Sequence, residues 1–419
     1  MQIPNAKIKK LENGITLAVE EISSLRSVSM GLIVNAGSEI EDKDLMGISH
    51  FIEHTTFKGT NKRSAMQIAQ ELDSVGGKLN AFTGKEFTQY YAVIQDKYID
   101  VAADVLSDIF LNSKYDDKDI DMEKNVVLEE IKMYEDSPDE HIHDIFTLAV
   151  IPNHPLGNPV IGEEKTVRSI NSKKILDFRK NYYTPDNLLI SIAGNVSFES
   201  ASTIITDKFS SFKGNSSNKM LPSAETVQTI KLKSKKTEQV HLIIGSKGPS
   251  QNNDERFAFT VMDNILGGSM SSRLFQEIRE KRGLAYSIYS FNQGFKDIGL
   301  FEIYAGTRKE NFENVVELIM KELTKMRKIG LSKEELERAK EFIKGTMVLS
   351  LESSNSRMNY MARSIYYHGR VVTIEEIFEK IDRVGLDDIM KLTEKYLSEK
   401  DLSLVVIGDF DKLPITKLT

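Results

Sequence analysis

The chain has 419 residues, of which 40% are hydrophobic, and carries 55 basic and 62 acidic side chains for a formal charge of −7 at pH 7. This acidic balance argues against the basic face that a nucleic-acid-binding protein needs. The absence of cysteine excludes disulfides, thiolate metal ligands and a cysteine nucleophile. The length is sufficient for a sizeable core and favours more than one domain.

The first segment, MQIPNAKIKKLENGITLAVEE, has neither the apolar core of a secretory signal nor the Arg- and Ser-rich composition of a transit peptide. No apolar run in the sequence approaches the length of a membrane span. We therefore expect a cytoplasmic protein that does not enter a membrane.

The segment HFIEH places His50 and His54 four positions apart, with Glu53 between them. On a helix, residues four apart lie one turn above each other, and Glu53 falls within about 100° of both histidines. Two imidazoles on one helix face form half of a zinc site, and a neighbouring carboxylate can accept a proton from water. Because helical histidines often only pack or form hydrogen bonds, this interpretation requires a third ligand.

The segment LNAFT, residues 79–83, precedes a turn and has the character of an edge strand. An extended peptide could add to such an edge through main-chain hydrogen bonds. A plain hairpin without a ligand is equally compatible with the sequence.

Without cysteine, the third ligand must be His, Glu or Asp. DMEKNVVLEEIKMYED predicts a helix whose apolar stripe consists of Met122, Val126, Val127, Ile131 and Tyr134. Glu123 and Glu130 lie two turns apart on that stripe, whereas Glu129 falls on the polar side. A carboxylate among core positions is costly unless it is paired or bound to a metal. Glu130 is therefore the predicted third ligand, and Glu123 is predicted to orient a ligand.

Three other histidines are alternative ligands: His141, His143 and His154. Histidines in such positions are more often exposed or held by structural hydrogen bonds, so they rank below His50 and His54.

Two distant segments share one pattern and indicate an internal repeat. YYTPDNLLISIAGNV and YLSEKDLSLVVIGDF begin 214 positions apart, at Tyr182 and Tyr396. Two further pairs occur in the same order, VSMGLIVNAGS with VHLIIGSKGPS and IAQELDSVGGKLNA with LFQEIREKRGLAYS. Repetition in a fixed order predicts two homologous domains.

The composition changes between the repeats, where residues 213–226 are rich in Ser, Asn and Pro and predict an exposed linker. We therefore expect an N-terminal zinc-binding catalytic domain at 1–212 and a homologous C-terminal domain without a metal site at 227–419. Hairpins such as LNAFTGKEFTQYYAVI, set among helical segments, predict α+β domains. Each should be a mostly antiparallel sheet with layered helices.

HFIEH, with the glutamates of EKNVVLEEI downstream, resembles the inverzincin zinc peptidases of the pitrilysin type, family M16. The family includes mitochondrial processing peptidase and insulin-degrading enzyme. The resemblance continues through HPLGNPVIG and GGSMSSRLFQEIREKRGLAYSIYSF and is closest to the bacterial processing-protease-like branch. It implies two homologous domains of the LuxS/MPP-like metallopeptidase fold that form a clamshell, paired with a second copy to close a chamber.

The resemblance implies that His50, His54 and Glu130 bind zinc and that Glu53 is the general base. Glu123 matches an additional carboxylate of the family.

The resemblance also implies that Asn80, Ala81 and Phe82 lie against the substrate, and that Arg279 and Tyr286 contact its main chain and the oxyanion. From the residues alone, Arg279 would be a solvated helix charge and Tyr286 an aromatic residue at the start of a strand.

The second repeat lacks the metal motif. No histidine occurs between His241 and His368, and a shift of 214 positions places Lys344 opposite Glu130. We therefore expect one Zn²⁺ per chain.

These features predict a zinc metalloendopeptidase that cleaves peptides or unfolded segments as a homodimer, without nucleic acid or membrane partners. The alternative is a non-catalytic peptide-binding or assembly subunit of the same fold.

Overall fold

The computed structural model of the protein describes residues 4–217 and 219–418. Asn218 of the predicted linker, and residues 1–3 and 419 of the predicted domains, lie outside the described residues. The chain divides into two compact units, and each draws on separate stretches of sequence.

The first unit comprises the described residues of Met1–Lys132, Asn158–Leu221 and Val348–Ile374. Its strands, within the described part of the chain, form a six-stranded sheet in the order β1-β2-β6-β3-β5-β4, called here the first sheet. Neighbouring strands are antiparallel except β2 and β6, which are parallel. The strands are β1 Ala6–Lys10, β2 Thr16–Glu21, β3 Ser27–Val34, β4 Lys78–Thr83, β5 Thr88–Gln95 and β6 Leu188–Gly194.

Helices cover both faces of the first sheet. They are α1 Ile48–Thr56, α2 Ala65–Asp73, α3 Ile99–Asn112, α4 Asp117–Asp136 (whose last four residues are assigned to the second unit), α6 Glu164–Ser169, α7 Ser172–Tyr182, α8 Phe198–Lys208 and α12 Ser354–His368. On one face, Met30 and Leu32 of β3 join a large apolar cluster with α1 and α3. On the other face, Ile33 packs near Ala362 of α12. Burial on both faces explains why SVSMGLIV reads as a nearly continuous apolar run.

The second unit comprises Met133–Gly157, Pro222–Met347 and the described residues of Glu375–Thr419. In the described residues, its strands form the second sheet, in the order β7-β11-β8-β10-β9, with β7 and β11 parallel and the other pairs antiparallel. The strands are β7 Ile230–Ser234, β8 Val240–Gly248, β9 Ala285–Gly294, β10 Gly299–Thr307 and β11 Ser403–Gly408. The helices are α5 Pro138–Val150, α9 Glu255–Leu266, α10 Phe312–Lys328, α11 Lys333–Ser350 (whose last three residues are assigned to the first unit), α13 Ile374–Asp382 (whose first residue is assigned to the first unit) and α14 Leu386–Tyr396.

The two sheets have corresponding strand orders, because β2, β6, β3, β5 and β4 match β7, β11, β8, β10 and β9. The predicted α+β class, with mostly antiparallel sheets and layered helices, is confirmed. Within residues 4–217 and 219–418, no helix combines the length and apolar character needed to span a membrane.

Each sheet is completed by a helix from the other half of the sequence. α12, which follows the strands β7–β10, packs on β6, β3 and β2 of the first sheet. α5, which lies between β5 and β6 in sequence, packs on β11 and β8 of the second sheet and buries Ile142 and Phe146 there. The two compact units are therefore interleaved along the chain.

A fragment of residues 1–212 is expected not to reach the native state alone, because it lacks α12 and leaves the face of the first sheet around Ile33 and Leu189 uncovered. Met358 and Met361 of α12 are fully buried, and each such side chain contributes about 1.5–3 kcal/mol. Near-ultraviolet circular dichroism, thermal unfolding and binding of a hydrophobic dye measure the outcome.

The matched control is the same fragment joined through a flexible Gly/Ser linker to residues 348–374, which should recover a cooperative transition and bind less dye, with α5 still uncovered in both chains. An equally cooperative transition and equal dye binding in the two chains would contradict this account of the first sheet.

Candidate metal centre

The start of α1 is fixed by two glycines in close contact. Gly47 precedes the helix with φ 89°, in the left-handed region, and Gly162 has φ 81°. A Cβ on Gly47 would lie 2.8 Å from Gly162 Cα, and a Cβ on Gly162 would lie 2.7 Å from Gly47 Cα. Both positions therefore require glycine on steric and conformational grounds. This contact joins GISHFIEH to HPLGNPVIG.

A buried carboxylate satisfies the first backbone groups of α1. Glu41 accepts hydrogen bonds from the backbone N–H of Gly47 at 2.7 Å and of Ser49 at 2.8 Å. These N–H groups have no partner inside the helix. The beginning of α1 is thus held by both main-chain packing and polar contacts.

The packing of α1 directs its polar residues away from the core. Ile48, Phe51 and Ile52 are fully buried, and the 3.6-residue period places His50, Glu53 and His54 on the other side. The two imidazole ring centroids lie 4.5 Å apart. The structure therefore gives HFIEH one histidine-bearing face.

Glu130 of α4 lies against that face. Its Oε1 is 3.8 Å from His50 Nε2, and its Oε2 is 3.4 Å from His54 Nε2. Among the described residues, the three side chains form a group whose possible ligand atoms all lie within 4.8 Å of one another. Ligand atoms sharing a tetrahedral zinc ion are roughly 3.3–3.6 Å apart.

The chemistry of these donors fits a zinc ion. Two imidazoles and one carboxylate are the ligands of a catalytic zinc site with an open fourth position. Glu130 Oε2 is buried and has no hydrogen-bond partner, although buried oxygen atoms are normally satisfied. Burial lowers the pKa of His50 to about 3, so its imidazole is neutral near pH 7 and can act as a ligand.

Glu123 is in hydrogen-bond contact with the second histidine. Its Oε1 lies 2.9 Å from His54 Nδ1, and its side chain is only 5% exposed. Burial would lower the pKa of His54, but the hydrogen bond to Glu123 and the charge of Glu130 give a net upward shift. When Nδ1–H donates to Glu123, Nε2 of His54 remains free to bind a metal.

Glu53 is held by a residue that the sequence reasoning did not single out for this role. Thr83, the last residue of β4, donates a hydrogen bond to Glu53 Oε2 at 2.5 Å. Burial raises the pKa of Glu53, while this hydrogen bond acts in the opposite direction. A carboxyl with a raised pKa is suited to accept and return a proton.

Lys58 is a second residue beside the site that the sequence patterns did not identify. Its Nζ lies 2.5 Å from Glu123 Oε2. The only signal in the sequence is its spacing, four residues after His54, because an exposed lysine after a helix ordinarily indicates a solvated surface.

The predicted apolar stripe of α4 was wrong in part. Val127 and Ile131 are buried, but Met122 and Val126 are 52% and 50% exposed. Glu130 is not enclosed by apolar neighbours as predicted, because 43% of its side chain is exposed. The buried face is rotated towards Ile120, Glu123 and Leu128, which leaves Glu130 at its border beside the histidines.

Asn80, Ala81 and Phe82 lie on β4, which is an edge of the first sheet. In the described residues, β4 pairs with β5 alone. Asn80 and Phe82 are exposed, and Ala81 is half-buried against the core. The outer side of β4 thus presents main-chain groups next to Thr83, whose hydroxyl holds Glu53.

Arg279 and Tyr286 belong to the second unit and lie beside each other there. Arg279 is in a π-helical segment, Phe275–Glu280, and Tyr286 is near the start of β9. The guanidinium carbon lies 5.5 Å from the centroid of the Tyr286 ring. Because Tyr286 is 74% exposed, its hydroxyl is accessible from solvent.

The three histidines considered as alternative ligands have structural contacts in the second unit. His143 Nδ1 lies 2.7 Å from Glu302 Oε2. His154 Nε2 lies 2.9 Å from the Pro222 carbonyl oxygen, and His141 lies 3.5 Å from the Glu135 carbonyl oxygen.

The expected correspondence of Lys344 with Glu130 stays a prediction. α4 and α11 begin 216 positions apart, at Asp117 and Lys333, and end 214 positions apart, at Asp136 and Ser350, so the helix bounds allow either Lys344 or Thr346 opposite Glu130. Neither side chain offers the carboxylate or imidazole of a zinc ligand. Lys344 forms ion pairs with Glu341 and Asp382.

Two family profiles match the chain. Residues 16–164 match "Insulinase (Peptidase family M16)", and residues 169–343 match "Peptidase M16 inactive domain". The metal-ligand group lies in the first of these segments.

Curated relatives extend over nearly the whole chain. "Uncharacterized zinc protease YmxG" of Bacillus subtilis (strain 168) is 40% identical over 405 residues, which cover 96% of this chain and 98% of the relative. "Uncharacterized zinc protease SCO5738" of Streptomyces coelicolor is 37% identical over 406 residues, covering 95% and 88%.

A solved structure has the same fold. The crystal structure of a protease from Helicobacter pylori superposes with a TM-score of 0.89 at 21% identity and covers 97% of this chain and 99% of its own. At that identity the similarity shows the fold alone.

Glu130→Gln is expected to weaken zinc binding by at least tenfold, because it removes the charge of the carboxylate that faces both histidines. Glu129→Gln is the matched control: Glu129 is 69% exposed and pairs with Lys132. Competition with a chromophoric chelator measures both affinities. Equal losses in the two variants would contradict the assignment of Glu130 as the ligand.

Proposed function

This chain belongs to peptidase family M16, and we propose that it is a zinc-dependent endopeptidase that hydrolyses peptides or unfolded protein segments. The observation that carries the proposal is the group of His50, His54 and Glu130, with Glu53 on the same face of α1. The names of the curated relatives support the same reaction class.

In the proposed mechanism His50, His54 and Glu130 hold one zinc ion per chain. When bound, zinc supplies a Lewis acid that acidifies water and polarises the scissile carbonyl. Glu53 accepts a proton from the attacking water and returns it to the amine nitrogen as the peptide bond breaks. Thr83 keeps the Glu53 carboxylate in position through its hydroxyl.

We propose that β4 binds the substrate. The free edge of β4 offers alternating N–H and C=O groups, so an extended peptide can pair with it regardless of sequence. Asn80, Ala81 and Phe82 would then contact successive residues of the peptide. Because β4 ends at Thr83 beside Glu53, a peptide on this edge runs towards the catalytic carboxylate.

We also propose a cytoplasmic homodimer that encloses the substrate in a chamber. One chain carries both the metal group and the Arg279–Tyr286 pair, so a specialised partner subunit is not required.

A second candidate function is peptide binding without catalysis. It is favoured by the match of residues 169–343 to a domain described as inactive. That description covers the segment outside the metal-ligand group, so it is compatible with an active first repeat. Chelator-sensitive cleavage of a peptide library distinguishes the two functions.

Glu53→Gln is expected to retain zinc and lose peptide hydrolysis, because the ligands remain and the proton acceptor is removed. Zinc content by atomic absorption and cleavage of a peptide library, each with and without chelator, measure the outcome. Loss of zinc from the variant would identify Glu53 as a ligand, and unchanged hydrolysis would exclude it as the general base.

Tyr286→Phe is expected to lower turnover by about 10²- to 10³-fold, the usual effect of removing one donor to the oxyanion. Arg279→Ala should weaken binding of the peptide main chain, and both variants should retain their zinc. Arg282→Ala is the control, because Arg282 is occupied by an ion pair with Glu277. Full activity in both test variants would refute the roles proposed for Arg279 and Tyr286.

A further inference from the structure

Three side chains form a continuous path of contacts behind the metal centre. Lys58 Nζ lies 2.5 Å from Glu123 Oε2, and Glu123 Oε1 lies 2.9 Å from His54 Nδ1. The opposite ring nitrogen of His54 faces Glu130 at 3.4 Å. One carboxylate therefore connects the lysine to the imidazole.

The charges along this path favour a cation in contact with Glu123. A histidine that binds a metal is a neutral imidazole, so His54 would then donate a hydrogen bond to Glu123 without a charge of its own, and the charge of the bound metal would lie on the far side of the ring. The Glu123 side chain is only 5% exposed, and a buried carboxylate is costly without a partner. Among the described residues that contact Glu123, Lys58 supplies the positive charge.

The loop that carries Lys58 is held in place. Thr60 donates a hydrogen bond to Asp108 at 2.7 Å, and Arg63 donates one to the same carboxylate at 2.8 Å. Arg63 also forms ion pairs with Glu71 and Asp104. This network fixes the segment just after α1, so Lys58 reaches Glu123 from an ordered backbone.

The ion pair of Lys58 differs from an ordinary surface ion pair because the partner of the lysine is buried. Exposed pairs contribute little to stability, whereas removing one member of a buried pair leaves an uncompensated charge. The lysine side chain is 38% exposed, but its partner is almost completely buried. Removing the charge of Lys58 therefore affects Glu123, and the histidine that it orients, more than it affects the surroundings of the lysine itself.

We infer that Lys58 is a positioning residue of the metal centre, which holds the Glu123 carboxylate against His54 Nδ1 and so directs Nε2 towards the metal. This inference rests on the proposed zinc site. It assigns Lys58 no contact with substrate or with the reacting atoms.

The test compares the zinc affinity of three variants of the full chain with that of the parent, by chelator competition at pH 7. Lys58→Met keeps the length of the side chain and removes its charge, and should weaken zinc binding about tenfold, at the lower end of the effect seen for partners of metal ligands. Lys58→Arg should restore the affinity to within about threefold of the parent, because it retains the cation.

Lys62→Met is the matched control. Lys62 lies in the same loop and is exposed, so its removal should leave zinc affinity unchanged. Equal losses in Lys58→Met and Lys62→Met, or a Lys58→Met affinity within twofold of the parent, would overturn the inference.

Thermal unfolding of the zinc-free proteins separates positioning from folding. The zinc-free Lys58→Met variant should melt with the parent; a much lower midpoint would show that the lysine acts through the fold and would overturn the inference. The measurements do not depend on hydrolysis. A parent that binds zinc but cleaves no peptide would end the enzyme proposal alone, whereas a parent without zinc affinity would end both.

Discussion

The one-sided burial of α1 determines the rest of the candidate site. Phe51 and Ile52 are fully buried in the core of the first unit, and the helical period then places His50, Glu53 and His54 on the opposite side. Rotation of α1 would have to expose those apolar side chains, each contributing about 1.5–3 kcal/mol. The two histidines of the candidate site are therefore positioned by the hydrophobic core rather than by contact with each other.

The sequence was informative wherever local spacing determined structure. The four-residue interval between His50 and His54 predicted the histidine-bearing face of α1. The repeated segments predicted two homologous domains, and the hairpins among helical segments predicted the α+β class. Prediction was weaker on α4, where Met122 and Val126 are apolar but exposed. Hydrophobicity alone could not show which face of α4 is buried, because that face also includes the charged Glu123.

The contacts that support Glu53 and Glu123 from distant segments were beyond the reach of the sequence. The bond from Thr83 to Glu53 spans 30 positions and the ion pair of Lys58 with Glu123 spans 65. The family resemblance supplied ligand and base roles but not these supporting partners. Neither Thr83 nor Lys58 belongs to a local pattern that distinguishes it from an ordinary strand threonine or surface lysine.

The interleaved helices are held by polar as well as apolar contacts. In the first unit, Gln89 of β5 donates a hydrogen bond to Asn359 of α12 at 2.6 Å. In the second, Glu302 on the corresponding strand β10 lies 2.7 Å from His143 of α5. Directional contacts of this kind specify one register of a helix on a sheet, which apolar packing alone specifies less strictly. The sequence made His143 an alternative metal ligand. The structure instead explains it as a contact of α5, a helix from the first half of the sequence that packs on the second sheet.

The exchange of helices also has a consequence for the order in which the protein can be completed on the ribosome. β6, the last strand of the first sheet, ends at Gly194, but α12 ends only at His368. At about 5–20 residues per second, the intervening 174 residues take roughly 9–35 s to synthesise. During that interval the nascent first sheet has one apolar face without its native cover. Exposed apolar surface of this kind favours aggregation and chaperone binding while the rest of the chain is still being synthesised.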